Sequence, residues 1–153
     1  MLFRSCSAAG DVRAAAEQLG RYPSVSGEVV PGAHRGRKLG FPTANLATPP
    51  ERLLPGNGVY ATIVRRSGQD QSYPSVTNVG IRPSFAGSER TVETYIFDFD
   101  EDLYGQRLTV DFVERLRPEK KFDSLEALMA QISHDAQQAR QLLAVELSSA
   151  GQN

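Results

Sequence analysis

The sequence predicts an all-β barrel with a long C-terminal helix and a short N-terminal helix. After Pro23, β-rich runs follow one another with turn residues between them and no helical segment, which favours an antiparallel sheet that closes on itself. Beyond Phe122, apolar residues recur three and four positions apart, the pattern of a helix with one buried face. These two observations define the expected architecture.

The short N-terminal helix is predicted from its ends. Asp11 is placed to cap an apolar pattern that begins at Val12, and Gly20 is placed to end it. The single cysteine, Cys6, precedes this helix and cannot form an internal disulfide.

Five runs have the alternating or β-branched composition of strands. The run from Gly58 is the strongest, with Val59, Ala61 and Ile63 on one face. The five candidate strands are Val25–Val30, Gly58–Val64, Ser75–Val79, Arg90–Phe97 and Arg107–Leu116.

The C-terminal helix is predicted to begin at a capping box, Asp123-Ser-Leu-Glu126. Its apolar stripe favours core packing over a cofactor surface, and residues 148–153 are expected to form a frayed tail. The stripe consists of Leu125, Leu128, Met129, Ile132, Ala136, Ala139 and Leu143.

Length and charge restrict the class of protein. The 153 residues fit one principal domain, and seventeen basic against eighteen acidic residues give no basic excess of the kind that nucleic-acid binding favours. No apolar run approaches the ~20 residues of a membrane span, and no secretory signal is recognisable. We therefore expect a cytoplasmic protein with no nucleic-acid or membrane partner.

A glycine-rich basic loop follows the first candidate strand. Three glycines between Gly32 and Gly40 alternate with Arg35, Arg37 and Lys38, so backbone amides can approach phosphate oxygens. The loop lacks the Gly-Lys-Ser/Thr ending of a Walker P-loop. A solvated surface turn is the alternative that this pattern leaves open.

The segment after the loop, Phe41-Pro-Thr-Ala-Asn45, has a defined direction because Pro42 restricts its own backbone and that of Phe41. In an extended chain Thr43 and Asn45 project to the same side. Their neutral oxygens suit Mg²⁺ when a nucleotide supplies the negative charge. A capping or Asx-turn role is the alternative.

These residues resemble the signature of riboflavin kinases, including the C-terminal half of bacterial bifunctional FAD synthetases. The resemblance begins with Leu-Gly-Phe-Pro-Thr-Ala-Asn-Leu at Leu39–Leu46 and covers residues 21 to about 147. It continues in order through Gly58–Tyr60, Asn78–Pro83, Thr91–Glu93, Asp102–Gly105 and Leu116–Ser124.

The resemblance implies a six-stranded Greek-key barrel over residues 21–147 that transfers the γ-phosphate of ATP to riboflavin, giving FMN and ADP, with Mg²⁺. It implies that Thr43 and Asn45 ligate the metal and contact ATP, and that Glu93 is the catalytic base. The implied phosphate loop comprises Gly32, Arg35, Gly36, Arg37 and Lys38. The other implied residues are Ile96, Asp98 and Tyr104 at the nucleotide and Arg117, Lys120 and Phe122 in a flap over the flavin.

The residue pattern around Glu93 allows two interpretations. On its strand Glu93 shares a face with Tyr95 and Phe97, where a carboxylate is either solvated or held in a pocket. The resemblance favours the pocket, where a carboxylate can accept the proton of a substrate hydroxyl during phosphoryl transfer.

Residues 1–20 resemble the tail that ends the adenylyltransferase module of FAD synthetases, and the His-x-Gly-His motif of that module does not occur in this sequence. We therefore expect a monomeric kinase module that makes FMN but not FAD. Two alternatives are a noncatalytic flavin- or nucleotide-binding barrel, expected to lose residues such as Glu93 or Asn45, and a nucleic-acid-binding barrel, expected to show a basic aromatic face.

Overall fold

The computed structural model describes residues 11–30, 43–47, 54–84, 87–99 and 103–150. These ranges contain two helices and six strands in the order α1, β1 to β6, α2. Their bounds are α1 Val12–Leu19, β1 Ser24–Val30, β2 Ala44–Leu46, β3 Gly58–Arg66, β4 Ser72–Ser84, β5 Gly87–Ile96, β6 Arg107–Arg117 and α2 Leu125–Ala150.

The six described strands form a closed barrel in the order β1-β2-β5-β4-β3-β6, and every pairing is antiparallel. Strands β3, β4 and β5 follow one another as a meander, and β6 returns to lie beside β3. This arrangement is a Greek key. The predicted six-stranded antiparallel barrel with helices at both ends is confirmed.

Strand β2 is the element that the strand patterns did not reveal. The five predicted strands are all present, and most are longer than predicted. Three residues are too few to show a period of two, so Ala44–Leu46 gave no strand signal.

The barrel interior is filled by apolar side chains and a buried hydroxyl chain. Val64, Val92 and Phe112 belong to the apolar cluster inside the barrel. The hydroxyl of Thr62 lies 2.8 Å from that of Ser75 and 2.8 Å from that of Thr77, and the Thr77 hydroxyl lies 2.5 Å from that of Thr94. All four residues of this hydroxyl chain are buried, and their hydrogen bonds with one another offset the cost of removing them from water.

Helix α2 covers one side of the barrel. Ala136, Ala139 and Leu143 pack against outward-facing residues such as Ala61 and Ile63 of β3 in a second apolar cluster. The register between β3 and β6 is interrupted twice, at Val113 and at Leu116, and both of these extra residues join that cluster.

The predicted start of α2 needs two corrections. The Ser124 hydroxyl accepts the Ala127 N–H at 3.1 Å, so the cap is Ser124 and the predicted Asp123 cap is wrong. Leu125 and Met129 are 65% and 40% exposed, because the helix packs on the barrel through residues further along, such as Ala136 and Leu143. The helix also continues to Ala150, past the predicted boundary at residue 147.

Helix α1 has the predicted ends. The Asp11 carboxylate accepts the Ala14 N–H at 3.1 Å, and Gly20 has the left-handed backbone (φ 73°) that favours glycine. Val12 and Ala15 are buried, so this helix packs on the barrel although the sequence placed residues 1–20 outside it. None of the described helices is long and apolar enough to cross a membrane.

A polar cluster joins the two helices. Arg13 of α1 pairs with Glu146 of α2 at 2.6 Å, and the Tyr22 hydroxyl donates a hydrogen bond to the same carboxylate. Burial and the hydrogen bond to Glu146 raise the pKa of Tyr22 to about 12. The hydrogen bond from Tyr22 lowers the pKa of Glu146.

This cluster predicts how stability falls in alkali. The pKa of Tyr22 is about 12 in the fold against a usual 10.0, so its stabilising effect is complete below pH 10 and is lost as the pH rises towards 12. We expect Tyr22→Phe to melt at a lower temperature than wild type at pH 8 and to lose less stability between pH 10 and 12. Thermal melts across this range test this, and equal slopes for the two proteins would contradict it.

Candidate active site on the outer barrel wall

Three polar residues form a row across neighbouring strands. Asn45 of β2 lies opposite Glu93 of β5, and Glu93 lies opposite Asn78 of β4. Residues directly opposite in an antiparallel pair face the same way, with Cβ atoms about 4.5–5.5 Å apart. The neighbouring residues Thr77 and Thr94 lie in the interior hydroxyl chain, so the three members of this polar row face outward.

Thr43 lies on the same side as the polar row, two residues before Asn45. Asn45 is only 8% exposed, and Thr43 and Glu93 are half-buried. The structure therefore brings together the proposed metal ligands and the proposed base, which the sequence identified in segments almost fifty residues apart.

The surroundings of Glu93 follow the predicted alternation. Val92, Thr94 and Ile96 are buried on the inner side, whereas Tyr95 and Phe97 join the cluster beneath α2 with ring centroids 5.5 Å apart. Glu93 is thus at the edge of a packed surface, in neither full solvent nor the core.

A second carboxylate, which the sequence analysis missed, approaches the row. Glu119 follows β6 and lies over Gly80 of β4, where an added Cβ would be 2.1 Å from Glu119 Oε1. Burial raises the pKa of Glu119, Arg117 opposes this shift, and the Glu93 carboxylate adds to it. The signal was available in the sequence, because Gly80 and Glu119 both lie in the blocks that carry the family resemblance.

The three residues assigned to the flap, defined here as residues 117–122, lie together. The guanidinium carbon of Arg117 is 5.7 Å from the centroid of the Phe122 ring, and Lys120 Nζ is 5.6 Å from it. Both distances are within the range of a cation–π contact. These three flap residues therefore form a cationic and aromatic group.

Arg117 is held by a residue that the sequence analysis did not select. Its Nε lies 3.0 Å from both carboxylate oxygens of Asp135, and its Nη2 lies 2.8 Å from Oδ2. Gln131 Nε2 donates to Asp135 Oδ1 at 2.9 Å. The available signal was a carboxylate beside Ala136 within the apolar stripe of α2, since acidic side chains are seldom buried unpaired.

The residues assigned to the nucleotide are more dispersed. Ile96 is buried inside the barrel. Asp98 follows β5 with φ 54° and pairs with Arg140 of α2 at 3.0 Å, and the Arg140 hydrogen bond lowers the pKa of Asp98. Ile96 does not join the polar row because it faces the barrel interior. Asp98 does not join it because it lies five residues, about 16 Å of extended chain, beyond Glu93.

Tyr104 is closer to the Asn45 edge. It lies in a turn whose Gly105 N–H donates to the Val29 carbonyl at 3.0 Å, and Val29 pairs with Leu46. The turn thus lies beside the C-terminal end of β1. The predicted loop residues Gly32, Arg35, Gly36, Arg37 and Lys38 lie outside the described residues.

The donor set near the row fits a hard cation. Thr43 and Asn45 offer neutral oxygens beside the Glu93 carboxylate, and Mg²⁺ favours oxygen ligands with the remainder supplied by water and substrate phosphates. Within the described ranges no group of three or more His, Cys, Asp or Glu residues could hold a metal.

An open groove of about 550 Å³ lies elsewhere, beside α1. Its lining includes Arg13, Tyr22, Arg65 and Asp111 and contains no member of the polar row. Its basic side chains are largely paired already, since Arg65 bonds Asp111 and Arg13 bonds Glu146. We therefore place the candidate site at the polar row.

This chain matches one protein family and several curated relatives over most of its length. The family model described as Flavokinase, riboflavin kinase, matches residues 19–143. A bifunctional riboflavin kinase/FMN adenylyltransferase from Pseudomonas fluorescens is 43% identical over 92% of this chain and 45% of its own length. The corresponding protein of Escherichia coli K12 is 40% identical over 87% of this chain and 42% of its own length.

Another relative is the RNA-binding riboflavin kinase RibR of Bacillus subtilis, 39% identical over 72% of this chain and 47% of its own length. The chain spans less than half the length of each of these three relatives.

Two solved structures share the fold. One, described as a macrolide-efflux protein from Streptococcus pneumoniae, matches with a TM-score of 0.84 and 37% identity over 91% of this chain and 45% of that chain. The other, a riboflavin kinase from Trypanosoma brucei, matches with a TM-score of 0.55 and 26% identity over 79% of each chain.

Proposed function

We propose that this chain, which belongs to the riboflavin kinase family, transfers the γ-phosphate of ATP to the terminal ribityl hydroxyl of riboflavin, giving FMN and ADP. The observation that carries the proposal is the strand register that brings Asn45 and Glu93 side by side on the outer wall. A metal-binding amide next to a proton-accepting carboxylate is the pair that this reaction needs.

Thr43 and Asn45 would hold Mg²⁺ together with the phosphates of ATP. The bound ion would neutralise phosphate charge during transfer. Asn45 is nearly buried, so its amide is held in one place before the nucleotide binds. The phosphate loop, Ile96, Asp98 and Tyr104 are the further proposed nucleotide contacts.

Glu93 would accept the proton of the ribityl hydroxyl. A primary alcohol is a poor nucleophile, and a positioned carboxylate assists as its proton leaves. Its place at the margin of the packed cluster supports this role, because the carboxylate is restrained by neighbouring strands and still reaches the surface. In-line positioning would contribute the rest of the rate enhancement.

Arg117, Lys120 and Phe122 would cover the flavin. Phe122 offers an aromatic face for a planar ring, and the two cations hold that face in place through contacts of less than 6 Å. The flap also carries Glu119 beside Gly80, and the Glu93 carboxylate contributes to the raised pKa of Glu119.

The noncatalytic barrel is the alternative function. A binding scaffold has no need of a catalytic base, so this alternative gives no reason for Thr43, Asn45 and Glu93 to be present side by side. A monomeric state, a cytoplasmic location and the absence of a nucleic-acid partner stay predictions, and the RNA-binding relative makes the last of these worth measuring.

Purified protein mixed with riboflavin, ATP and magnesium is expected to form FMN, in proportion to protein concentration, as measured by chromatography. The same protein given FMN and ATP is expected to form no FAD above background. Riboflavin that stays unconverted while both ligands bind would favour the noncatalytic barrel, and FAD made in proportion to enzyme would contradict the expectation of a kinase alone.

Asn45→Ala is expected to reduce turnover through the metal, because it removes one of few protein oxygens from an ion held mainly by phosphates. Excess magnesium should restore part of the activity, and riboflavin affinity without nucleotide should change little. The magnesium dependence of initial rates tests this. Asn57→Ala, which removes an amide bonded to Arg90 at the barrel end, is the matched control, and an Asn45→Ala magnesium profile equal to wild type would reject the ligand assignment.

Glu93→Gln is expected to keep the fold and bind both substrates while single-turnover FMN formation falls by about 10²–10⁴-fold, the usual contribution of a general base. Glutamine has nearly the shape of glutamate, so packing beside Tyr95 survives. Glu89→Gln, on the same strand and face, is the control and should keep the wild-type rate. A near-wild-type single-turnover rate for Glu93→Gln would exclude Glu93 as the base.

A further inference from the structure

An ion pair with a buried carboxylate and a partly buried guanidinium joins the flap to helix α2. The Asp135 side chain is 3% exposed and the Arg117 side chain 19% exposed. Asp135 accepts hydrogen bonds from Arg117 Nε and Nη2 and from Gln131 Nε2. The carboxylate is thus fixed by its own helix and presents both oxygens to one guanidinium.

Stability alone is a weak reason for this pair. Replacing a buried ion pair by apolar residues of similar volume is often neutral or stabilising, because both charges lose their hydration. What the pair does provide is orientation, since a carboxylate bound to Nε and Nη2 fixes the plane of the guanidinium.

The Arg117 guanidinium contacts both ends of the flap. Arg117 Nη1 donates to the Pro118 carbonyl at 3.1 Å, in the peptide between Pro118 and Glu119. The guanidinium also lies against the ring of Phe122. Of the five N–H groups of this guanidinium, one on each terminal nitrogen remains beyond the contacts to Asp135 and Pro118.

We propose that Asp135 is a positioning residue for flavin binding: it holds Arg117 so that the flap is already arranged, with Phe122 in place, before riboflavin arrives. This inference rests on the proposed function. Ordering a flap in advance strengthens binding because less conformational freedom is lost when the ligand binds.

The test follows binding and turnover separately. Riboflavin is itself fluorescent, so the change in its emission when protein is added measures its binding directly. Asp135→Asn, which keeps the shape and removes the charge, is expected to weaken riboflavin binding about fivefold or more. The riboflavin KM should rise by a similar factor, with ATP KM and kcat at saturating riboflavin little changed.

Two further variants separate positioning from general stability. Glu146→Gln breaks another ion pair of the same helix, with Arg13, and is expected to lower the melting temperature without changing riboflavin affinity. Gln131→Ala removes one support of Asp135 and is expected to weaken riboflavin binding in the same direction, by less. If Asp135→Asn does not fold, the riboflavin affinity of Gln131→Ala tests whether the support of Asp135 matters for binding.

A double-mutant cycle tests whether Asp135 affects riboflavin binding through Arg117. If Asp135 acts through Arg117, adding Asp135→Asn to Arg117→Ala causes no further loss of riboflavin affinity. Folded Asp135→Asn that binds riboflavin as tightly as wild type, or more tightly, overturns the inference. Wild-type protein that binds riboflavin without forming FMN refutes the proposed function, while the binding comparison still decides the role of Asp135. Wild-type protein that binds no riboflavin refutes both.

Discussion

The pairing of the three-residue strand β2 is the interaction on which both the barrel and the candidate site depend. It joins β1 to β5 and so completes the closed sheet. The backbone hydrogen bonds that close the sheet also set Asn45 beside Glu93. Leu46, the next residue, is buried inside the barrel, so a slip of one residue would exchange an amide for an apolar side chain on the outer wall. The position of the amide is therefore as well determined as the core.

The outer face of β5 both packs against α2 and contributes a residue to the candidate site. Tyr95 and Phe97 pack beneath α2, whereas Glu93, on the same face, lies where that packing ends. The helix thus supports one side of the site without covering it. Arg117 connects α2 to the flap, since it is the last residue of β6 before the flap and is bonded to Asp135 of α2. Changes in helix packing should consequently be transmitted to the flap more directly than to the polar row.

The sequence predicted those features that repeat or that depend on neighbouring residues. The alternation along Arg90–Phe97 correctly separated Glu93 from Val92 and Thr94, and the caps of α1 were evident from Asp11 and Gly20. It could not reveal β2, which has no period, or the exposure of Leu125, which depends on where the helix meets the barrel. The sequence does mark Asp135 as a carboxylate within the apolar stripe of α2, and Glu119 as part of a block that carries the family resemblance. It could not show their partners, Arg117 and the surface over Gly80, because these are set by tertiary packing and not by local spacing.

The hydroxyl chain of Ser75, Thr62, Thr77 and Thr94 has a consequence for how this barrel can diverge. Thr62 and Thr77 each have two hydroxyl partners, and Ser75 also bonds the Thr62 carbonyl, whereas the Thr94 hydroxyl bonds only that of Thr77. Replacing Thr77 by an apolar residue therefore leaves Thr94 buried without its hydroxyl partner, while replacing Thr77 and Thr94 together can be nearly neutral. Substitution at these two positions is therefore epistatic, and lineages that share this fold should lose the Thr94 hydroxyl before, or together with, that of Thr77.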